Sequence, residues 1–107
     1  MSQVINLTAA TFEKAASKGT PLLAYILVPN CGPCHLQGYI LKEVAEVVGA
    51  KAIVGRVNAD AVPGLAERFD VQSAPTLVVL KGRQILKRMI GLQTAQTLIE
   101  ALQQAGG

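Results

Sequence analysis

Two cysteines stand three positions apart in the stretch Cys31-Gly32-Pro33-Cys34, which follows the apolar run Leu22–Val28 and opens a long helical segment. A thiol at that junction meets unpaired backbone N–H groups and the positive end of the helix macrodipole. Both favour the anion, and the thiolate is the reactive form of cysteine, so Cys31 is placed to be a nucleophile near neutral pH. Cys34 lies one helical turn on, close enough to Cys31 for a disulfide to form and open. Gly32 permits close approach of another chain. Pro33 suits the first helical turn, where a missing N–H costs nothing. The spacing predicts a two-electron dithiol/disulfide switch.

Other chemistries use the same residues. A structural bridge is one, although placement between strand and helix argues against it. Half a metal site is another, but the chain has two cysteines and one histidine, and no second pair completes four ligands. Cys31-Gly32-Pro33-Cys34-His35 also fits the C-x-x-C-H pattern of haem c attachment, with Met89 available as an axial ligand. Against haem stand at least four strand-like runs and the lack of an export signal, since c-type cytochromes are mostly helical and mature outside the cytoplasm.

The elements that must position the pair are legible in outline. Val4 to Leu7 reads as a short strand. Thr8 or Thr11 caps a helix running to about Ser17, which Gly19 and Pro21 end. Leu22 to Val28 lacks alternation and reads as a strand buried on both faces. The helix after the cysteines runs to about Val48, with Leu36, Ile40, Val44 and Val47 at helical spacing for the core. Gln37, Lys42, Glu43 and Glu46 are left for water. Ala52 to Asn58 is a strand, Asp60 caps a short helix holding Leu65, Ala66 and Phe69, and Thr76 to Leu80 is another strand. Lys81-Gly82-Arg83 turns into a last strand near Ile85 to Ile90, which Gly91 breaks. Thr94 caps a final helix with Leu98, Ile99 and Leu102, and Gly106-Gly107 frays. The order β-α-β-α-β-α-β-β-α implies an α/β fold, a central sheet flanked by helices and closed by an antiparallel hairpin.

Composition narrows the function classes. The chain has 107 residues, half of them hydrophobic and 16% charged, which excludes intrinsic disorder and fits one small domain, 1–107. Aromatics are 4%, so the core must come from Leu, Ile, Val and Ala. Ten basic against seven acidic residues give a net charge of +3, too weak a bias for a nucleic-acid partner. The one basic concentration, Lys81, Arg83, Lys87 and Arg88, suits a solvated sheet edge that resists edge-to-edge pairing. No apolar run approaches the roughly 20 residues of a membrane helix. Met1-Ser2-Gln3-Val4 opens no secretory signal, and the default compartment is the cytoplasm, where close cysteine pairs are more often catalytic or metal-binding than structural.

These residues together resemble the thioredoxin family over essentially the whole chain. Cys31-Gly32-Pro33-Cys34 is identical to the family's active-site tetrapeptide. Asn58-Ala59-Asp60, Pro63, Ala66, Phe69 and Val71 follow its central spacing, Ala74-Pro75-Thr76 stands at its cis-proline, and Gly91 at its glycine near the end of the last strand. The resemblance implies a thioredoxin fold with a mixed sheet and a protein disulfide reductase. In it Cys31 attacks a substrate disulfide and Cys34 resolves the mixed disulfide. Pro75 is cis and faces the pair, the backbone of Ala74 pairs with substrate as an added strand, and Gly91 lets the substrate backbone approach. It also implies disulfide-containing proteins as substrates, a thioredoxin reductase or comparable electron donor as partner, a monomer, and no bound cofactor beyond the Cys31–Cys34 disulfide.

The sequence departs from the family around the site. Asn30 stands where Trp is usual and Leu27 where an aromatic is usual. Tyr39 replaces a helix-kinking Pro, and Phe69 replaces the commoner Tyr. Tyr25 falls where the family buries an Asp that relays protons to the resolving thiol. A phenol titrating near 10 is no base at neutral pH, and removing a buried anion favours the thiolate. A lower nucleophile pKa and a more oxidising couple are therefore expected. Arg56, at the place of a family Lys, either bonds the Tyr25 hydroxyl or reaches solvent. His35 shares a helix face with Cys31 and either assists its thiolate, shuttles a proton, or is an exposed surface residue. Two alternatives stand beside a general reductant: a specialised oxidase, isomerase or dedicated donor with its own partner, and a binding module whose cysteines do not turn over.

Overall fold

The computed structural model describes residues 3–106. Met1, Ser2 and Gly107 lie outside the described residues, and with them part of the N-terminal reading and the last residue of the Gly106-Gly107 end. The elements follow the expected order: β1 (Val4–Asn6), α1 (Ala9–Ala16), β2 (Pro21–Leu27), α2 (Gly32–Val48), β3 (Ile53–Asn58), α3 (Pro63–Arg68), β4 (Thr76–Lys81), β5 (Gln84–Ile90) and α4 (Ala95–Gly106). A 3-10 turn at Gly49–Lys51 links α2 to β3. The five strands lie in the order β1-β3-β2-β4-β5. β1, β3 and β2 are parallel, while β4 and β5 run antiparallel to their neighbours.

β2 is central, and its side chains supply both cores as the two-residue period requires. Leu23 and Tyr25 enter the layer shared with α2 and α4, and Leu22, Ala24 and Ile26 enter the layer shared with α1 and α3. β4 divides likewise, Leu77 and Val79 to one side and Val78 and Leu80 to the other. The aliphatic expectation holds for the layer with the cysteines, apart from Tyr25. The opposite layer is anchored by aromatics: Phe12 and Phe69 are fully buried and meet edge to face at 5.4 Å. Gly55 in β3 has a packing reason, because a Cβ there would lie 2.6 Å from Cγ of Leu7.

The caps follow local chemistry, with one correction. Thr8 is the N-cap of α1 and forms a reciprocal capping box with Thr11. The Thr94 hydroxyl accepts the Thr97 N–H at 3.1 Å and caps α4. Asp60 does not cap α3: the helix begins at Pro63 behind Val62, and the Asp60 N–H donates to Oδ1 of Asn58 at 3.0 Å. Pro63 needs no capped N–H, which is why the helix starts there. Gly106 is the last helical residue of α4 rather than a frayed end.

Of the basic residues of the last hairpin, Lys87 and Arg88 lie on the edge strand β5, Arg83 in the turn before it and Lys81 at the end of β4, and Arg88 is not simply solvated, because its Nε donates to the Phe69 carbonyl at 2.9 Å. Arg83 also reaches Glu13 of α1, which accepts from Arg83 Nε at 2.8 Å and from Arg68 Nη1 at 3.0 Å. The Arg83 and Arg68 guanidiniums hold the Glu13 carboxyl below its ordinary value. A carboxyl lowered by folding stabilises the native state above its unfolded pKa, and that contribution is lost as pH falls through the folded pKa. Glu13→Gln should therefore lower the urea midpoint slightly at neutral pH and leave it unchanged at an acid pH below both values. An equal loss at both pH values would show that charge is not the cause. The effect is small because all three side chains are about half exposed to solvent.

Candidate functional site

The site forms where β2 ends and α2 begins. Cys31 is the N-cap of α2, extended at φ −102° and ψ 107°, with Pro33 in the first turn. Its sulfur accepts the Cys34 backbone N–H at 3.2 Å, one of the orphan donors of the helix start. Cys31 and Cys34 form a disulfide with Cα atoms 5.2 Å apart. Cys31 is half-buried and Cys34 is buried. Attack from outside can reach only the first sulfur readily, while the second waits behind it.

Asn30 precedes the pair at φ +62°, a left-handed conformation that Asn tolerates better than most side chains. Tyr25 lies behind the pair, buried in β2, and its hydroxyl donates to the Cys34 carbonyl oxygen. Burial pushes its phenol up from the ordinary value, partly offset by the Arg56 guanidinium. The group behind the cysteines is thus neutral at physiological pH. Arg56 does not bond the Tyr25 hydroxyl; its Nε donates to Oδ1 of Asn6 at 2.6 Å, because the parallel register sets Asn6 beside it. A cleft of about 360 Å³ opens beside the pair, with Asn30, His35, Tyr39, Lys42 and Arg56 in its walls and Tyr25 among its lining. Its formally charged lining residues, Lys42 and Arg56, are both positive. His35 is exposed on this cleft. Tyr39 is also exposed, and α2 runs unbroken past it.

The Ala74–Pro75 peptide bond is cis. Ala74 packs against the cluster of side chains that contains Cys34 and that Cys31 also touches. Gly91, at φ +89°, donates its N–H to the Pro75 carbonyl at 2.9 Å.

Sequence periodicity misplaces one face of α2. The buried residues are Cys34, Gln37, Leu41, Val44, Ala45 and Val48, whereas Leu36 and Val47 are more than half exposed. Gln37, read as solvent-facing, is fully buried. Its Oε1 accepts the Gln93 N–H at 2.8 Å and its Nε2 donates to the Gln93 carbonyl at 3.1 Å. The available signal was Cys34 itself: counting in threes and fours from an inward Cys34 passes through Gln37.

The Thioredoxin family model matches residues 3–104. The chain belongs to the thioredoxin family. The thioredoxin of Alicyclobacillus acidocaldarius subsp. acidocaldarius is 34% identical over 94 residues, covering 88% of this chain and 90% of that protein. Thioredoxin 1 of a Nostoc species is 31% identical over 104 residues, 96% of this chain and 97% of its own. Among solved structures, a chloroplastic thioredoxin z superposes with a TM-score of 0.84 at 27% identity, covering 98% of this chain and 96% of that one. The sheet order and the helices on both faces are the thioredoxin fold. The protein is a thioredoxin-like thiol–disulfide oxidoreductase whose redox centre is the Cys31–Cys34 disulfide, and the family uses no bound cofactor. Membership replaces the haem reading of Cys31 to His35. No helix among the described residues is long and apolar enough to cross a membrane.

Proposed function

We propose that the chain, as a single domain over 1–107, is an atypical thioredoxin that reduces protein disulfides through Cys31 and resolves through Cys34. The Cys31 thiolate attacks one substrate sulfur, forming a mixed disulfide and releasing the other sulfur as a thiolate. The Cys34 thiol loses its proton to solvent and attacks Cys31, releasing the second substrate thiolate. Two electrons pass to the substrate, and the pair is left oxidised. The observation that carries this reading is the Cys31 sulfur at the N-cap of a 17-residue helix, accepting an amide and bonded to a buried partner one turn on. Gly32 and Pro33 shape that turn. Family membership, with Ala74 packed on the cluster that Cys31 also touches and Gly91 bonded to the Pro75 carbonyl, supports a substrate-binding role for Ala74, Pro75 and Gly91, with the substrate backbone pairing beside them. Return to the dithiol requires a reductase or comparable donor, and the reading is of a cytoplasmic monomer working where such donors keep thiols reduced.

Its atypical character rests on Tyr25 and Asn30. With a neutral phenol behind the pair and cationic Lys42 and Arg56 in the adjoining cleft, no acidic side chain among the described residues lines that cleft to oppose a thiolate. Stabilising the thiolate stabilises the reduced protein, so the couple should lie above the roughly −270 mV of ordinary thioredoxin and the Cys31 pKa below about 7. Tyr25→Asp restores a buried anion, and should raise the Cys31 pKa by about one unit and lower the potential by about 30 mV or more. Tyr25→Phe, still neutral, should move either value much less. Equilibration with glutathione and the pH dependence of alkylation read both quantities. A wild-type potential at or below about −270 mV, or a Tyr25→Asp potential unchanged, defeats the oxidising reading. Tyr25 and Asn30 also favour a second reading, a specialised oxidase, isomerase or dedicated donor. Ready coupled reduction by a standard NADPH-dependent thioredoxin reductase would count against it.

A further inference from the structure

We propose that Gln37 is a positioning residue that fixes the Gly91 wall of the substrate groove against the cysteine-bearing helix, so that its loss weakens reaction with polypeptide disulfides and spares small ones. The proposal rests on the reading of Pro75 and Gly91 as substrate-binding residues.

Gln37 is the one buried polar side chain of α2, fully enclosed on a face otherwise made of Cys34, Leu41, Val44, Ala45 and Val48. A buried amide is tolerated when its hydrogen bonds are made. Here both are made to the backbone of one residue, Gln93, 56 positions away. The side-chain amide acts as a substitute peptide group, pairing with a chain segment that has left the sheet. The Gln93 side chain continues the chain of bonds, its Nε2 donating to the carbonyls of Ile90 at 3.3 Å and Gly91 at 3.2 Å. Gly91 donates in turn to the Pro75 carbonyl at 2.9 Å. Hydrogen bonds thus run without a break from α2, one turn below Cys34, to the cis-proline.

The consequence is geometric. A polypeptide substrate must fit between the Cys31 sulfur and the backbone at Ala74 to Gly91, so its affinity depends on how those two walls are held. A small disulfide touches little beyond the sulfur. Leaving the Gln93 N–H and carbonyl without their partner frees the Gly91 wall to move relative to the helix, and the order needed for binding is then imposed by the substrate.

The test compares Gln37→Met, similar in length but unable to pair, with Gln93→Ala, which keeps the Gln37 bonds and removes those to the Ile90 and Gly91 carbonyls. Each variant is assayed with insulin as the polypeptide disulfide and with bis(2-hydroxyethyl) disulfide, alongside its melting temperature and reduction potential. Gln37→Met is expected to raise KM for insulin roughly tenfold, because the substrate must now order the Gly91 wall as it binds, with kcat little changed. Its rate with the small disulfide and its potential should stay within about twofold and about 10 mV of wild type. Gln93→Ala should show the same selectivity to a smaller extent, and serves alone if Gln37→Met does not fold. Equal losses on both substrates, or none on either, would overturn the positioning role. A wild-type protein inert toward both disulfides would instead overturn the proposed disulfide-reductase function of the cysteine pair.

Discussion

Cys31→Ser should reduce insulin no faster than the uncatalysed background, and Cys34→Ser should halt after a single covalent step. Serine is a favoured N-cap, so the helix start survives the first substitution and a loss of activity is not a loss of fold. What disappears is the anion. A hydroxyl stays protonated in a setting that ionises a thiol, and the Cys34 N–H that now points at the Cys31 sulfur has no thiolate to stabilise. Cys34→Ser keeps the outer, half-buried nucleophile and removes the group that releases it. The mixed disulfide then waits for a thiol from solution instead of one already held a helical turn away, and turnover should fall by on the order of a thousandfold or more. Intact-mass measurement should show Cys34→Ser carrying a stoichiometric substrate adduct and Cys31→Ser carrying none. The reverse pattern would exchange the two roles, and adducts on neither would remove the attack step altogether.

Phe12→Ala is the substitution expected to cost most in stability. Phe12 is fully buried in α1, edge-on to Phe69, with the Arg68 guanidinium 5.0 Å from its ring centroid while that arginine also bonds Glu13. Truncation removes the buried ring, leaves a cavity between α1, α3 and the sheet, and loses the aromatic pair. Together these are worth about 3–5 kcal/mol, a large part of the roughly 5–15 kcal/mol available to a domain. The urea midpoint should fall steeply with little change in slope, and the melting temperature should drop by more than about 10 °C. Phe12 lies in the layer across the sheet from Cys34, so the folded fraction should keep its reduction potential. A loss below about 1.5 kcal/mol would mean that the layer collapses around the missing ring.

Sequence alone determines the chemistry of Cys31 and Cys34, because the reasons are local: a strand before, a helix after, Pro33 in the first turn, and one turn between the sulfurs. It also determines the element order, since β2 carries an apolar run long enough to be buried on both faces and the helices begin at Thr8 and Thr94 caps. It fails where a side chain's fate depends on a partner far along the chain. Leu36 and Val47 fit a helical period as well as Leu41 and Val48 do, and only packing against the sheet and α4 selects the face that turns Gln37 inward. Arg56 finds Asn6 rather than Tyr25 because β1 and β3 are parallel in one register, which no local pattern specifies. Spacing along one element sets which groups can act together; the assembly of several elements decides which distant partner a polar side chain meets, because those bonds join residues 50 or more positions apart.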